Sequence, residues 1–572
     1  MSGPRIRLYG ALAVLIVLSL VLAACGGSSA KPNANGSSPT TVFSGNVPNG
    51  GTITIGAEQE PDCFDWLGGC SGSSWGTWMA QVETIPYAFR DVMKNGNVVE
   101  EPGAMLTGVP DFKATPQETI TYHVKPEAKW SDGVPISCAD FQYTTIEQQT
   151  GKDLYDPTGY VDANGKPTFD VTCPDAKTAV ATFRSGNTFA GWHQLFASAV
   201  GLLPSHILKG KDRAKLMKDG YTWSGGPWFA KWNKGNNIVL TPNKSFWGAK
   251  PHLDKVVYKF ESDTAAEFQA FKSGQVDAIY PQPQLDVVSE IKAGLSGAHS
   301  QYNSHTGTVE ALWPNVQKFP FDSKAVRQAF AYSIDRKAIV QKLFGALGVD
   351  QPANSLNPYI LKDYSDQNAF SAYDLNLDKV DSLMTGDGWK KGSDGIWAKG
   401  GKKAAFTMVT TAGNKRRELT EEVMQPELAK AGFAMTIKNT SADNLFGQLM
   451  PTGNYQLTLY GSSVTGLVPG LCSILCTKSI PTDANGSTGN NTSFYSNPKA
   501  DKLMLETDNN LDDSVRKSAA IETDKILADD MVALPLDPLP DIAIWSNKVV
   551  GPIVDNPIEG MFWNIEQWGI KK

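Results

Sequence analysis

Positive charge is in short supply: 52 Lys and Arg stand against 59 Asp and Glu, a formal net charge of −7 at pH 7. Loss of Arg5 and Arg7 with an N-terminal leader makes it more negative. A chain with no basic excess offers phosphates little net attraction, which argues against nucleic acid as a partner. Histidine is scarce too. His123, His193, His206, His252, His299 and His305 stand in no recognisable catalytic setting. No His or carboxylate cluster presents a ligand set, so nickel or another resident metal is disfavoured, and no cofactor is expected. None of the seven cysteines forms a C-x-x-C pair, which speaks against a metal cluster. Internal repeats and long charge runs are absent as well.

One long apolar run is present, at residues 8–22, preceded by Arg5 and Arg7 and followed by small residues before Cys25. That order reads as an export signal. Leu22-Ala23-Ala24-Cys25-Gly26 resembles a bacterial lipobox, in which the chain is cut before the cysteine and its thiol carries a diacylglycerol. Residues 1–24 are then a leader and 25–50, rich in Gly, Ser, Asn and Pro, a flexible tether. The protein is placed on the extracytoplasmic face of the cell membrane, held there by lipid alone. In an exported chain disulfides persist. Spacing suggests Cys63 with Cys70, Cys138 with Cys173 and Cys472 with Cys476, while other pairings stay open.

The body opens with Thr52, Ile53, Thr54 and Ile55 alternating at strand period. A second strand is expected over 118–124. Ser137 and Asp140 give a capping-box-like start to a helix from Cys138, and residues 168–183 read as a hairpin. In the second half, Val326, Ala329, Phe330, Ile334, Ile339 and Leu343 form one helical stripe ending at Gly345. "AAFTMVTT", "KRRELTEEVMQPELAKAG" and "FAMTIKN" read strand, helix, strand, a βαβ unit that calls for parallel pairing. An apolar strand then runs from 454 into a Gly- and Ser-rich loop ending at Gly470, the kind of strand end where α/β lobes bind ligands.

Several segments, in order, resemble the extracellular solute-binding proteins of family 5, the peptide, nickel and related-solute receptors of ATP-driven importers. They are "GTITIGAEQEPD", "KWSDGVPISCADF", "GGPWFAKWNKGNNIVLTPNKSFWGAKPHLDKVVYKF", "FKSGQVDAIY", "FPFDSKAVRQAFAYSIDRKAIV" and "GDGWKKGSDGIWAKGGKKAAFTM". The resemblance implies an α/β fold of two lobes, like that of periplasmic binding proteins, with mixed sheets, a hinge, and an extra subdomain in the first lobe. It implies a first lobe over 51–305, a second over 306–530 and a return to the first over 531–572. The implied partners are a small solute and the permease and ATPase of an importer, the receptor itself being a monomer.

Gly72-Ser73-Ser74-Trp75-Gly76 satisfies G-x-S-x-G, the pattern of a hydrolase elbow, with Ser74 as nucleophile. An elbow needs a strand directly before it, and "PDCFDWLGGC" supplies none, so no catalytic residue is assigned. By the resemblance this loop is instead one wall of the cleft. Ser73 and Ser74 let a ligand approach the backbone, and Trp75 and Trp78 offer apolar faces. The facing wall is implied at Tyr460, Gly461, Ser462, Ser463 and Thr465. Peptide-binding members carry an aspartate at that strand end, and this chain has none. A buried ammonium without a counter-charge is costly, so either another acid such as Asp443 receives a peptide's amine or the ligand lacks one. The expected function is delivery of an oligopeptide, or an amphiphile of similar size, to an importer by lobe closure, without chemistry. The other readings are a receptor-fold lipoprotein with a regulatory role in the cell envelope and, last, a serine hydrolase.

Overall fold

The alternating residues at the start of the body form the strand Thr52–Ala57, with Ile53 and Ile55 fully buried. The computed structural model describes residues 45–69, 82–280, 285–304, 306–486 and 488–572. The leader, Cys25, Cys70, Ser73, Ser74, Trp75, Trp78 and His305 lie outside the described residues. Strand 52–57 sits inside a seven-stranded sheet, parallel to Lys255–Phe260 and to Ala278–Ile279. The outer strands of that sheet, Trp228–Asn233 and Asn237–Pro242 on one side and Ala298–Asn303 with Asp541–Ser546 on the other, run antiparallel to their neighbours. The sheet is therefore mixed, as expected.

A separate four-stranded antiparallel sheet is built from Asp111–Lys113, Thr119–His123, Thr178–Phe183 and Phe169–Asp175. The expected hairpin and strand are both in it. Helix Cys138–Thr150 packs against it, and Asp140 accepts a hydrogen bond from Ser137 N at 2.9 Å to close the first turn. The Cys138–Cys173 disulfide joins that helix to the hairpin. Cys472 and Cys476 are also bridged. Cys63 is buried and disulfide-bonded.

The second lobe is organised on a five-stranded sheet in the order Ala434–Ile437, Ala405–Val409, Leu457–Ser463, Thr308–Pro314, Leu534–Pro538. Strands 405–409 and 434–437 are parallel, joined over helix Lys415–Ala431, which is the βαβ unit read from the sequence. The long stripe before Gly345 is two helices rather than one, Lys324–Ala331 and Arg336–Phe344. Asp335 breaks it by accepting from Ala338 N at 2.9 Å, which caps a new helix. The six stripe residues are nonetheless all buried, because both helices turn the same face to one core.

The chain passes between the two large sheets twice. It leaves the seven-stranded sheet after Asn303 and enters the five-stranded one at Thr308, then returns between Pro538 and Asp541. Thr306 Oγ1 donates to Leu539 O at 2.8 Å, so the two crossings are bonded side by side. A two-strand crossing of this kind is a hinge: few dihedrals separate two well-packed lobes.

Candidate functional site

Between the lobes lies a cavity of about 1500 Å³ lined by residues of both. Tyr460, Gly461, Ser462, Ser463 and Thr465 all line it. They do so because Leu457–Ser463 is a middle strand whose C-terminal end opens toward the first lobe. The Tyr460 ring stacks on Trp313 at 5.1 Å between centroids and meets the edge of Phe446 at 5.9 Å. Ser463 Oγ lies 2.8 Å from Thr308 Oγ1. Behind Gly461 the wall is backed by Glu310, whose Oε2 lies 3.1 Å from where a Cβ would stand. A side chain at 461 would therefore disturb the charge network below.

In that network Glu310 and Arg416 are fully buried, and Arg417 reaches the cleft. Glu310 accepts from Arg417 Nε at 2.7 Å and pairs with Arg416 Nη1 at 3.1 Å. Burial alone would push the Glu310 carboxyl up, but Arg416 and then Arg417 outweigh it and hold it at about 2. Its register partner Asp537 takes the opposite course and is pushed by burial up to about 7. Arg417 also donates to Thr411 Oγ1 at 2.8 Å, which fixes the loop that lines the cleft at Thr411, Asn414 and Arg417.

The first lobe faces this wall with acid. Asp62 follows the opening strand, lines the cleft and is pushed up to about 7, by burial first, then by Asp443 and by Glu60. Asp443 belongs to the second lobe and lines the same cavity. Acids from the two lobes thus line one cavity, near enough for Asp443 to raise Asp62. At the root of the crossing, burial and then Asp555 push Asp541 far above the carboxylate range. Trp232 also lines the cavity, its Nε1 donating to Glu60 Oε1 at 2.8 Å, its ring stacking on Phe64 at 5.5 Å and Lys234 Nζ standing 4.7 Å from its centroid. The lining carries both signs of charge, with Lys215, Lys218, Lys234 and Arg417 standing among more numerous acids and apolar surface between them.

Asp62, Trp232, Arg417 and Glu310 were not singled out in the sequence. The carboxylate count directly after the first strand, Glu58, Glu60 and Asp62, is the one local signal that points to the acid wall. The described histidines lie outside the cavity lining; His123, His193 and His206 pair with Asp111, Glu100 and Asp132. Among the described residues no group of His, Cys, Asp and Glu is placed to hold a metal ion, and no helix is long and apolar enough to cross a membrane.

Comparison with known proteins agrees with this architecture. The chain is 25% identical over 511 residues to the oligopeptide-binding protein AppA of Bacillus subtilis, covering 86% of each. Its fold superposes on the structure of that protein in complex with a nonapeptide with a TM-score of 0.79, at 20% identity, over 92% of this chain and 100% of the other. The periplasmic EDTA-binding protein EppA matches with a TM-score of 0.77, at 22% identity, over 93% and 99%. Residues 111–469 match the model of the bacterial extracellular solute-binding proteins, family 5 middle region. With the mixed α/β lobes, the double crossing and the cleft between them, this chain belongs to the bacterial extracellular solute-binding proteins of family 5.

Proposed function

We propose that the protein is a receptor on the outer face of a bacterial membrane, tethered through a diacylated Cys25, that hands a cationic oligopeptide-sized solute to the permease and ATPase of an importer. The observation that carries the reading is the pair Asp62 and Asp443, facing each other across the cleft from the two lobes. Closing the lobes brings two negative charges together, and an ammonium between them relieves the repulsion and restores ionisation of Asp62. A peptide's α-amino group is such a cation. It would be received here rather than at 460–465, where no carboxylate is present. The cavity exceeds the roughly 300–1,000 Å³ of ordinary small-molecule pockets, which favours a chain-like ligand over an amino acid. The relatives support the class: AppA is described as oligopeptide-binding.

The lobe limits proposed with this reading are a first lobe from 51 to 305 and a second lobe from 306. The return falls after Pro538 rather than at 531, following the strand that ends there. Tyr460, Gly461, Ser462, Ser463 and Thr465 form the second-lobe wall. Ser73, Ser74, Trp75 and Trp78 are proposed to complete the first.

The test is native mass spectrometry of the soluble body from Gly51 onward, purified from its exporting host and then denatured to release its cargo. Recovery of peptides with free N-termini is expected, with loss of cargo in Asp62→Asn and Asp443→Asn. An acidic or uncharged cargo retained by both variants would overturn the assignment.

A further inference from the structure

We propose that the first turns of two helices, one from each lobe, form a clasp that holds the cleft shut, and that Gly413 is the residue that admits it. The first-lobe helix is Thr264–Lys272, capped by Asp263; the second-lobe helix is Lys415–Ala431, capped by Asn414. The first amides of any α-helix have no acceptor within the helix. Here the opposite lobe supplies the acceptor for the first amide of each helix. Thr264 N donates to Gly413 O at 3.3 Å, and Lys415 N donates to Thr264 Oγ1 at 3.4 Å.

Two helix N-termini meeting head-on would repel, since each carries partial positive charge. Two acids offset this. The Asp263 carboxylate accepts from Ala265 N and Ala266 N and stands 3.5 Å from Lys415 Nζ across the lobe boundary. Glu418 accepts from Gly413 N and from Lys415 Nζ, both at 3.0 Å. Lys415 and Glu418 in turn hold the Asp263 side of the contact in register with its partner.

Gly413 is required twice over. Its φ of +85° lies in the left-handed region that favours glycine. A Cβ there would also stand 2.8 Å from Ser262 O, in the other lobe. The first constraint acts within the second lobe at all times, and the second only when the lobes meet. The clasp loop also lines the cleft, at Thr411, Asn414 and Arg417, as do Ser262 and Thr264 opposite. A ligand pressed against this loop is therefore within a residue of the bonds that keep the lobes together.

The clasp rests on the receptor reading only in taking the lobes to open and close, and it can be read without a ligand. Residue-resolved hydrogen–deuterium exchange on the full chain is the measurement. Thr264→Val removes the acceptor of the Lys415 amide, which belongs to the other lobe. Exchange at Lys415 is expected to rise about tenfold while the amides of Ile55 and Leu459 stay as in wild type, and Thr264→Ser is expected to keep the protection. Gly413→Ala, made in the second lobe, is expected to raise exchange at Thr264 and gives an independent route should Thr264→Val fail to fold. Exchange at Lys415 and Thr264 that is unchanged in both variants, or that rises only together with Leu459, overturns the clasp. An empty cleft in the mass-spectrometric experiment would instead remove the solute assignment and leave these rates as they stand.

Discussion

Replacing Glu310 by Gln should cost the second lobe about 3 kcal/mol, and the structure gives two routes to that figure. Glu310 is fully buried, with Arg417 Nε at 2.7 Å and Arg416 Nη1 at 3.1 Å. Its carboxyl is held at about 2 against an ordinary 4.5, and a shift of that size corresponds to roughly 3 kcal/mol of stability. Independently, breaking a buried ion pair by removing one partner costs about 3–5 kcal/mol, because a charge is left unpaired. The lower end is expected here, since Asp537 beside the same arginines, pushed up to about 7 by burial, can ionise more readily once Glu310 is gone. The sign with pH follows from the depressed value. The contribution is fully present above the unfolded pKa of about 4.5 and is lost as pH falls toward about 2. The assay is urea unfolding followed by tryptophan fluorescence, wild type against Glu310→Gln, from pH 7 down to pH 3. A gap of about 3 kcal/mol at pH 7 that narrows on acidification is the expected result. A gap below about 1 kcal/mol, or one that widens with acid, would refute the reasoning.

Other outcomes follow from the cleft and the crosslinks. Asp443→Asn is expected to weaken binding of peptides with free N-termini about tenfold and to leave N-acetylated peptides nearly unaffected, as titration calorimetry would show. Because burial, Asp443 and Glu60 push the Asp62 carboxyl up to about 7, affinity for an amine ligand should fall as pH drops through that value and a proton must be displaced; Asp62→Asn should flatten this profile. Removing the Cys138–Cys173 bridge, with a sequence separation of 35, should cost about 4 kcal/mol, against about 2 kcal/mol for Cys472–Cys476 with a separation of 4. Denaturant unfolding of the two double Cys→Ser variants would reverse that order only if loop closure does not govern their stability.

Local patterns carried much of the fold. Alternation at 52–55, the Ser137–Asp140 box and the strand–helix–strand run from 404 each depend on residues a few positions apart, and each appears where the sequence places it. The stripe before Gly345 misled in one respect. Apolar spacing alone cannot distinguish a continuous helix from two helices that share a buried face, and the deciding feature was the capping carboxylate of Asp335. The second-lobe wall was legible for a similar reason, being a single strand end and its loop. The acid wall was legible only in parts. Asp443 could be named as a candidate acid and Glu58, Glu60 and Asp62 stand together after the first strand, but Asp62 and Asp443 are far apart in the chain, so no spacing in the sequence pairs them. Glu310 on strand Thr308–Pro314 and Arg417 on helix Lys415–Ala431 are likewise joined only when that helix packs on the sheet.

Specificity and closure then fall to different parts of the cleft. The clasp bonds at Thr264, Gly413 and Lys415 join protein to protein, so they reward closure over any ligand that fits. Taken alone they discriminate poorly. Asp62 and Asp443 act in the opposite sense, since bringing the lobes together over a neutral or anionic ligand leaves two carboxylates opposed, with protonation of Asp62 the remaining escape. A repulsive element that one class of ligand alone relieves is an effective means of discrimination, because affinity differences grow from what the wrong partner leaves unpaired. A cationic ligand gains both terms, and a neutral one gains only the clasp. On this argument, weakening the clasp should lower affinity for all ligands alike, whereas neutralising Asp443 should narrow the gap between charged and acetylated peptides. If the two kinds of variant affected both peptide classes equally, the division of labour between clasp and carboxylates would be wrong.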